Sequence, residues 1–325
     1  MQPPARPSSE YRASLPAIWS ALVAVYLIWG STYLAIRYAV ETMPPFLMAA
    51  VRFIVSGGFL YALRRARGDP TPQWVEWRSA AIIGIFLLVG GNGGVVWSEQ
   101  FVPSGLVALL VATVPLWMVL MDMLRPNGQR PGFRATAGIL IGFGGVAVLI
   151  GSAASGAGTF NLLGTAAVLL ASLSWALGSL FGRSARLPAS QLLGTGMEML
   201  AGGTALILLA SAVGEWGRLD LTAVSRRSVF ALLYLIVFGS GGFAAYVWLL
   251  RVAPTPLVAT YAYVNPLVAV LLGYFLAQEP VTVRTLLATV LIIGSVALVS
   301  APQHSVTSLS GDDTSRAEDR SSSKK

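Results

Sequence analysis

Hydrophobic residues dominate the chain from about residue 16 to residue 301, broken only by short polar stretches. A bilayer core about 30 Å thick is crossed by roughly 20 apolar residues in helical form. Ten segments reach that scale, at about 16–38, 45–63, 79–98, 104–121, 135–152, 162–182, 191–213, 228–250, 257–277 and 285–300. Most connections between them are brief and carry helix-breaking residues, as in Glu41-Thr42-Met43-Pro44, Pro103-Ser104-Gly105 and Pro126-Asn127-Gly128. Such residues turn a chain at the water interface. The pattern predicts an all-α integral membrane protein of ten transmembrane helices. Residues 1–15 and 302–325 are polar and Ser-rich and are expected to be disordered cytoplasmic tails. The first apolar run lacks a small-residue cleavage site, which predicts a retained helix rather than a signal peptide.

Composition agrees with this reading and removes several alternatives. Of 325 residues 55% are hydrophobic and 11% charged, whereas a water-soluble domain carries about a quarter charged residues. An ordinary globular enzyme is thereby excluded. No Cys is present, and the single His304 lies in the polar tail, so neither a thiolate metal site nor histidine catalysis is expected, and no cofactor is called for. The net charge of +8 comes from 20 Arg and two Lys that fall mostly between apolar runs or in the tails. That placement points to a membrane surface and away from nucleic acid. With both termini cytoplasmic, the inside segments hold sixteen basic residues and the outside loops four, which favours that orientation in the cell's inner membrane. The exception is the loop after the seventh span, with Arg218, Arg226 and Arg227, where a boundary error would fall.

The sequence also repeats itself. At an offset of 151, residues 90–120 match through pairs such as Gly91/Gly242, Trp97/Trp248, Pro103/Pro254 and Pro115/Pro266, twelve identities in 31 positions. Earlier the offset is 146, with Leu27/Leu173, Trp29/Trp175, Leu34/Leu180 and Arg37/Arg183. The expected organisation is one five-helix repeat over 16–152, a linker over 153–161 and a second repeat over 162–301. An odd number of spans turns the second copy upside down. Two inverted halves can enclose a site near the midplane and rock about it, as in many secondary transporters.

Tyr26-Leu27-Ile28-Trp29-Gly30-Ser31-Thr32-Tyr33 in the first span, and Pro44-Pro45 followed by Val51-Arg52-Phe53 in the second, resemble the drug/metabolite transporter superfamily of EamA type. Val102-Pro103-Ser104-Gly105 through Ala112-Thr113-Val114-Pro115, and Tyr261-Ala262-Tyr263-Val264-Asn265-Pro266, resemble its YedA-like branch. The resemblance covers about residues 17–301. It implies efflux of small metabolites or drugs across the cytoplasmic membrane, driven by an ion gradient, through a cavity between spans one to four and six to nine. Spans five and ten would be peripheral. Glu279 stands where this family often has an acidic residue, but the matched place in the first half reads Asn127-Gly128, against any role that needs a carboxylate at both ends.

Ionisable groups within spans are the first functional candidates, because a charge at a helix centre costs roughly 2.5–3.5 kcal/mol on insertion scales. Two lie well inside, Arg52 and Glu198, at equivalent places in the two repeats. Each is about 10 Å from its own end, which leaves about 9 Å between them along the membrane normal. They read either as a structural pair or as a working one. In the second case Glu198 accepts the coupling proton or a substrate ammonium, and Arg52 tunes it or takes a substrate carboxylate.

Asn92 among Gly90, Gly91, Gly93 and Gly94 offers an amide beside exposed backbone, though close helix packing explains the glycines equally. Thr113 before Pro115, and Tyr261, Tyr263 and Asn265 before Pro266, stand where proline frees backbone carbonyls beside a potential cavity. Trp29 and Trp175 lie deep enough to stack on an aromatic or cationic solute, with Thr32 beside the former. Glu99, Asp122 and Glu279, near span ends, read as solvated interface charges. The glycines of spans five and ten, Gly138 and Gly142 among them, could pair two chains into a homodimer.

The partners expected are therefore a small-molecule substrate, the lipid bilayer and a coupling proton. An intramembrane protease would need facing Asp residues or a buried His, and no Gly-x-x-x-x-Gly-Lys run holds ATP phosphates. A metabolite importer or exchanger and a channel remain as alternatives, and only the family resemblance argues for export.

Overall fold

A computed structural model describes residues 14–124, 132–150, 161–253, 255–258 and 260–300. The polar tails before Ser14 and after Ser300, the expected linker up to Phe160, Asn127-Gly128 and His304 lie outside the described residues. Ten long helices are present and no strand is found among the described residues. They are α1 (Leu15–Val40), α2 (Pro45–Ala66), α3 (Trp74–Ser98), α4 (Ser104–Met123), α5 (Phe133–Ile150), α6 (Leu162–Gly182), α7 (Gln191–Ala212), α8 (Arg226–Val252), α9 (Tyr261–Ala277) and α10 (Val283–Ser300). The first seven are long and apolar enough to cross a membrane by length and composition, and α9 and α10 are shorter apolar helices.

Three elements depart from the simple spans, each for a local reason. Helix α3 starts at Trp74, five residues before its apolar run, because Gln73 and Glu76 form a capping box that satisfies the free amides of the first turn. Within α3, Ile85–Gly93 is π-helical, and four of its last five positions belong to the Gly90–Gly94 cluster. Helix α4 breaks at Ala112–Thr113, just before Pro115, where proline cannot donate to the preceding turn. The run expected to begin at Leu257 is divided into a short turn, Thr255–Val258, and α9 proper from Tyr261.

The helices pair in a pattern that maps onto itself when each is exchanged with its repeat mate. Helix α2 packs on α7, α5 on α10 and α4 on α9, while α1 lies against α8 and α9 as α6 lies against α3 and α4. Repeat mates enter one end of the bundle with opposite polarity: α1 arrives there by its C-terminal Tyr38, and α6 by its N-terminal Gly164, against Val102. The buried residues form a spine along these contacts, among them Ala49, Ala50, Phe53, Leu109, Leu110 and Leu206. Large apolar side chains such as Phe59, Leu140, Leu170, Leu208, Phe230 and Phe275 face outward. An outer surface of this kind suits hydrocarbon, not water.

Glycine sets the helix spacing, since helices in lipid have no hydrophobic drive to associate and depend on close contact. A Cβ on Gly84 would lie 2.6 Å from the Glu198 carbonyl oxygen, and one on Gly30 would lie 2.6 Å from Val268 Cβ. Gly138, Gly142 and Gly145 of α5 are pressed against Val299, Ser295 and Ile292 of α10. These three glycines are thus taken up inside one chain, whereas Gly144 of α5 and Gly294 of α10 meet nothing within 4 Å.

The end of the bundle that holds residues 41–44, 99–103, 213–225 and 278–282 is closed by polar contacts, and is called the sealed end below. Tyr38 Oη donates to the Leu276 carbonyl (2.9 Å), Thr42 Oγ1 to Ser228 Oγ (2.8 Å), and Ser228 Oγ to the Tyr38 carbonyl (2.7 Å). The Glu215 carboxylate accepts from Phe46 N (3.2 Å) and Leu47 N (2.8 Å) at the start of α2. Glu279 likewise accepts from Ser104 N (2.7 Å) and Gly105 N (3.0 Å) at the start of α4. The unusual arginines after α7 also belong here. Arg227 lies 3.7 Å from Glu41 and over the Tyr38 ring, and Arg218 bonds to the Val213 carbonyl. Structural contacts thus account for two of the three basic residues that the charge rule leaves unexplained.

Candidate functional site

The contacts sort the sequence candidates into two groups related by the repeat. In the first, Trp29 of α1 meets Tyr246 of α8 (ring centroids 5.0 Å apart) and Tyr261 of α9 (5.1 Å, edge to face). The two tyrosine rings are 5.5 Å apart, edge to face. The indole stands directly over Gly242, whose Cβ would fall 3.0 Å from Trp29 Nε1. One turn away on α8, Gly239 faces the Arg52 guanidinium, 3.2 Å from where a Cβ would be to Nη2. Thr32 is beside this group but bonds locally, to the Trp29 carbonyl (2.6 Å).

The second group lies between α3, α4 and α6. Trp175 covers Gly91, at 2.8 Å from its Cβ position, so the repeat-mate pairs Trp29/Trp175 and Gly242/Gly91 meet in the same way in both halves. Trp175 is the more open of the two, at 36% exposure. The π-helical turn of α3 leaves the Phe86 carbonyl to accept from Ser174 Oγ (2.7 Å), a bond from one helix to another that Gly90 permits by standing against Ser174. π-helical turns of this kind collect at functional sites. Ser174→Ala is expected to cost about 1 kcal/mol by removing that bond between helices, read as a lower thermal midpoint in detergent, with Ser174→Thr retaining wild-type behaviour. Thr113 is fully buried, and its hydroxyl bonds to the Leu110 carbonyl (2.6 Å), which also takes Ser172 Oγ (3.3 Å). The α4 break is satisfied internally.

Other candidates fall elsewhere. Tyr263 turns toward α10, where its hydroxyl donates to the Val296 carbonyl (3.4 Å). Glu198 and Arg52 do not pair: no ion pair or hydrogen bond joins them among the described residues. The α2–α7 contact sets Gly57 against Met199 and Gly196, and Gly203 against Ile54. Arg52 is therefore about level with Gly203, and the two groups are about five residues, or ~7.5 Å, apart along the axis.

Three sequence candidates share a further property. Arg52 Nη1, Asn92 Oδ1 and Asn265 Oδ1 are buried polar atoms without a hydrogen-bond partner, and Asn265 is only 8% exposed. Buried polar atoms are almost always paired, so such atoms require an explanation.

Glu99 corrects its reading as a solvated interface charge, and Glu279, partly exposed at its span end, has a role beyond that reading. Glu279 caps α4, and Glu99, at the end of α3, has 0% exposure with neither carboxylate oxygen hydrogen-bonded. Burial pushes the Glu99 carboxyl well above the usual carboxylate range and the nearby Glu279 carboxylate pushes it further, against the weaker opposing pull of Arg37 and Arg52. The signal in the sequence was slight: an acid set directly after an apolar run, in a connection without a basic residue, whose repeat mate is Leu250.

Ten apolar helices in two matching halves, with unpaired polar atoms buried between them, define a multi-pass membrane transporter. The chain belongs to the EamA-like transporter family, whose profile matches residues 15–151 and again 162–301. It is 41% identical over 294 residues to the inner membrane transporter YedA of Escherichia coli (strain K12), across 90% of this chain and 92% of that protein. A WAT1-related chloroplastic protein of Arabidopsis thaliana is 26% identical over 88% of this chain and 70% of its own length. The Bacillus subtilis transporter YvbV is 24% identical over 88% of this chain and 93% of its own. A solved crystal structure, 20% identical, superposes with a TM-score of 0.58 over 88% of this chain and 98% of that one, a likeness of fold.

Proposed function

We propose that the protein is a secondary active transporter that exports small metabolites or drugs, amino-acid-like or amphipathic compounds, across the cytoplasmic membrane by alternating access coupled to a proton gradient. The observation that carries this reading is the set of unpaired buried atoms at Arg52, Asn92 and Asn265, drawn from both repeats. A guanidinium can take a substrate carboxylate, two amide oxygens can accept from a substrate ammonium, and the Trp29–Tyr246–Tyr261 group offers aromatic faces to an apolar or cationic body. A solute bearing those groups would satisfy atoms that the protein leaves unpaired. Glu198, half-buried in α7 and without an ion-pair partner among the described residues, is the group assigned to the coupling proton.

The basic-residue distribution supports cytoplasmic termini, which makes the sealed end external. The opposite polarity of the repeat mates supports rocking of the two halves about their seam. Metabolite profiling with and without overexpression would name the leading solute, and counterflow of that solute in proteoliposomes tests the carrier. Saturable counterflow is expected; a non-saturating conductance would make the protein a channel, and net accumulation in cells would make it an importer. Glu198→Gln is expected to abolish proton-driven efflux, at least about a hundredfold, while leaving solute exchange at near wild-type rate. Unchanged driven efflux in that variant would remove Glu198 from the mechanism.

A further inference from the structure

Glu99 is a charge-bearing group that the proposed transport chemistry does not use. Its carboxylate is fully buried, and neither oxygen accepts a hydrogen bond. The groups that face it are all named on neighbouring helices, and most are engaged with something else. Arg37 of α1 donates to the Glu99 backbone carbonyl rather than to the carboxylate. Glu279 adds negative charge, and both of its oxygens are held by the first amides of α4. Arg52 of α2 acts only from a distance, with its guanidinium against Gly239, and Tyr33 of α1 is the remaining titratable neighbour. An ionised carboxylate taken from water without a hydrogen bond or ion pair is strongly unfavourable and neutralises instead. Protonation removes the charge. Ionisation becomes favourable again only when water reaches the group, as parting the contacts of the sealed end would allow.

We propose that Glu99 is a proton-binding site of the sealed end: it holds a proton while that end is closed and gives it up to external water when that end opens. The O–H bond that forms on closure takes its proton from the external solution, and breaks by returning it there. The site is one-ended, because the repeat mate of Glu99 is Leu250 and the place matching Glu279 reads Asn127-Gly128. Since the closed form holds the proton more tightly, its advantage is full below the pH at which a hydrated carboxylate titrates and declines as external pH rises above it. Low external pH therefore closes the sealed end. The word external rests on the orientation proposed above, whereas the proton site itself does not.

The test uses the full chain reconstituted in lipid. Infrared spectra at about neutral pH should show the C=O stretch of a protonated, weakly hydrogen-bonded carboxyl that disappears in Glu99→Gln, shifts in Glu99→Asp and survives in Glu198→Gln. Because the chain has no Cys, a single cysteine at buried Val102 reports opening through its labelling by a membrane-impermeant maleimide. Divided by the labelling of a cysteine at exposed Leu221, this ratio should rise with pH, by at most about tenfold per unit, and become flat in Glu99→Gln. A folded wild type without the band, a band that persists in Glu99→Gln, or a pH response that persists in that variant would each overturn the proposal. If Glu99→Gln does not fold, the shift in Glu99→Asp decides, and an unshifted band overturns it. A failure to find solute counterflow would count against the transport reading and leave these readouts untouched.

Discussion

Gly196→Leu is expected to give a chain that inserts into the membrane but does not assemble, with no cooperative melting transition in detergent. The α2–α7 contact is made by backbone on backbone. A Cβ on Gly196 would lie 2.9 Å from Tyr61 N, 3.1 Å from the Gly57 carbonyl oxygen and 3.2 Å from Tyr61 Cα, and one on Gly57 would lie 2.9 Å from the Gly196 oxygen. Backbone atoms cannot rotate away as a side chain can, so the helices must separate along their length. A single methyl, Gly196→Ala, should cost about 1–3 kcal/mol, and Leu should exceed what the remaining contacts supply. Gly144→Ala is the control, because a Cβ there meets nothing within 4 Å. Wild-type melting of Gly196→Ala would show that α2 and α7 are not held together in this way.

Glu215→Ala and Glu279→Ala should each lower stability by about 2–4 kcal/mol, the second largest effects expected. Each carboxylate accepts from two amides at a helix start that belongs to the other half of the chain. Hydrogen bonds to a charged group contribute about 1.5–3 kcal/mol, helix N-caps about 0.5–2 kcal/mol, and an anion there also meets the positive end of the helix dipole. Since these terms overlap, they do not sum. Glutamine keeps an acceptor but not the charge, so Glu215→Gln and Glu279→Gln should recover part of the loss. Thermal unfolding in detergent measures the series, and equal melting of the Ala and Gln variants would mean that these carboxylates act by bulk alone. Both contacts lie at the sealed end, so both losses should also raise labelling of a cysteine at Val102.

The two halves differ in how easily their sites could be read. Trp29 and Trp175 stood out as repeat mates, and the glycines opposite them, Gly242 and Gly91, were already paired at the second offset of the repeat, yet nothing in the order of residues said that each indole lies over the glycine of a different helix. Arg52 and Glu198 were found as charges within spans but not as strangers to each other, because their depths follow from helix length while their facing directions follow from the glycine contacts of α2 and α7. Glu99 was misread for a related reason. Its distance from the nearest span end is one residue, and that distance says nothing about whether the neighbouring helices close over it.

The sequence by itself determined that the chain spans a membrane, how many helices it forms, where they turn and that the halves repeat, since all of these follow from runs of apolar residues set against the thickness of a bilayer and from breakers at its surface. Only the tertiary structure decided which charges are buried and what they meet. Pairing across helices depends on rotation about each axis and on approach distances of tenths of an ångström at glycine. Those quantities belong to the packed bundle and to no segment alone.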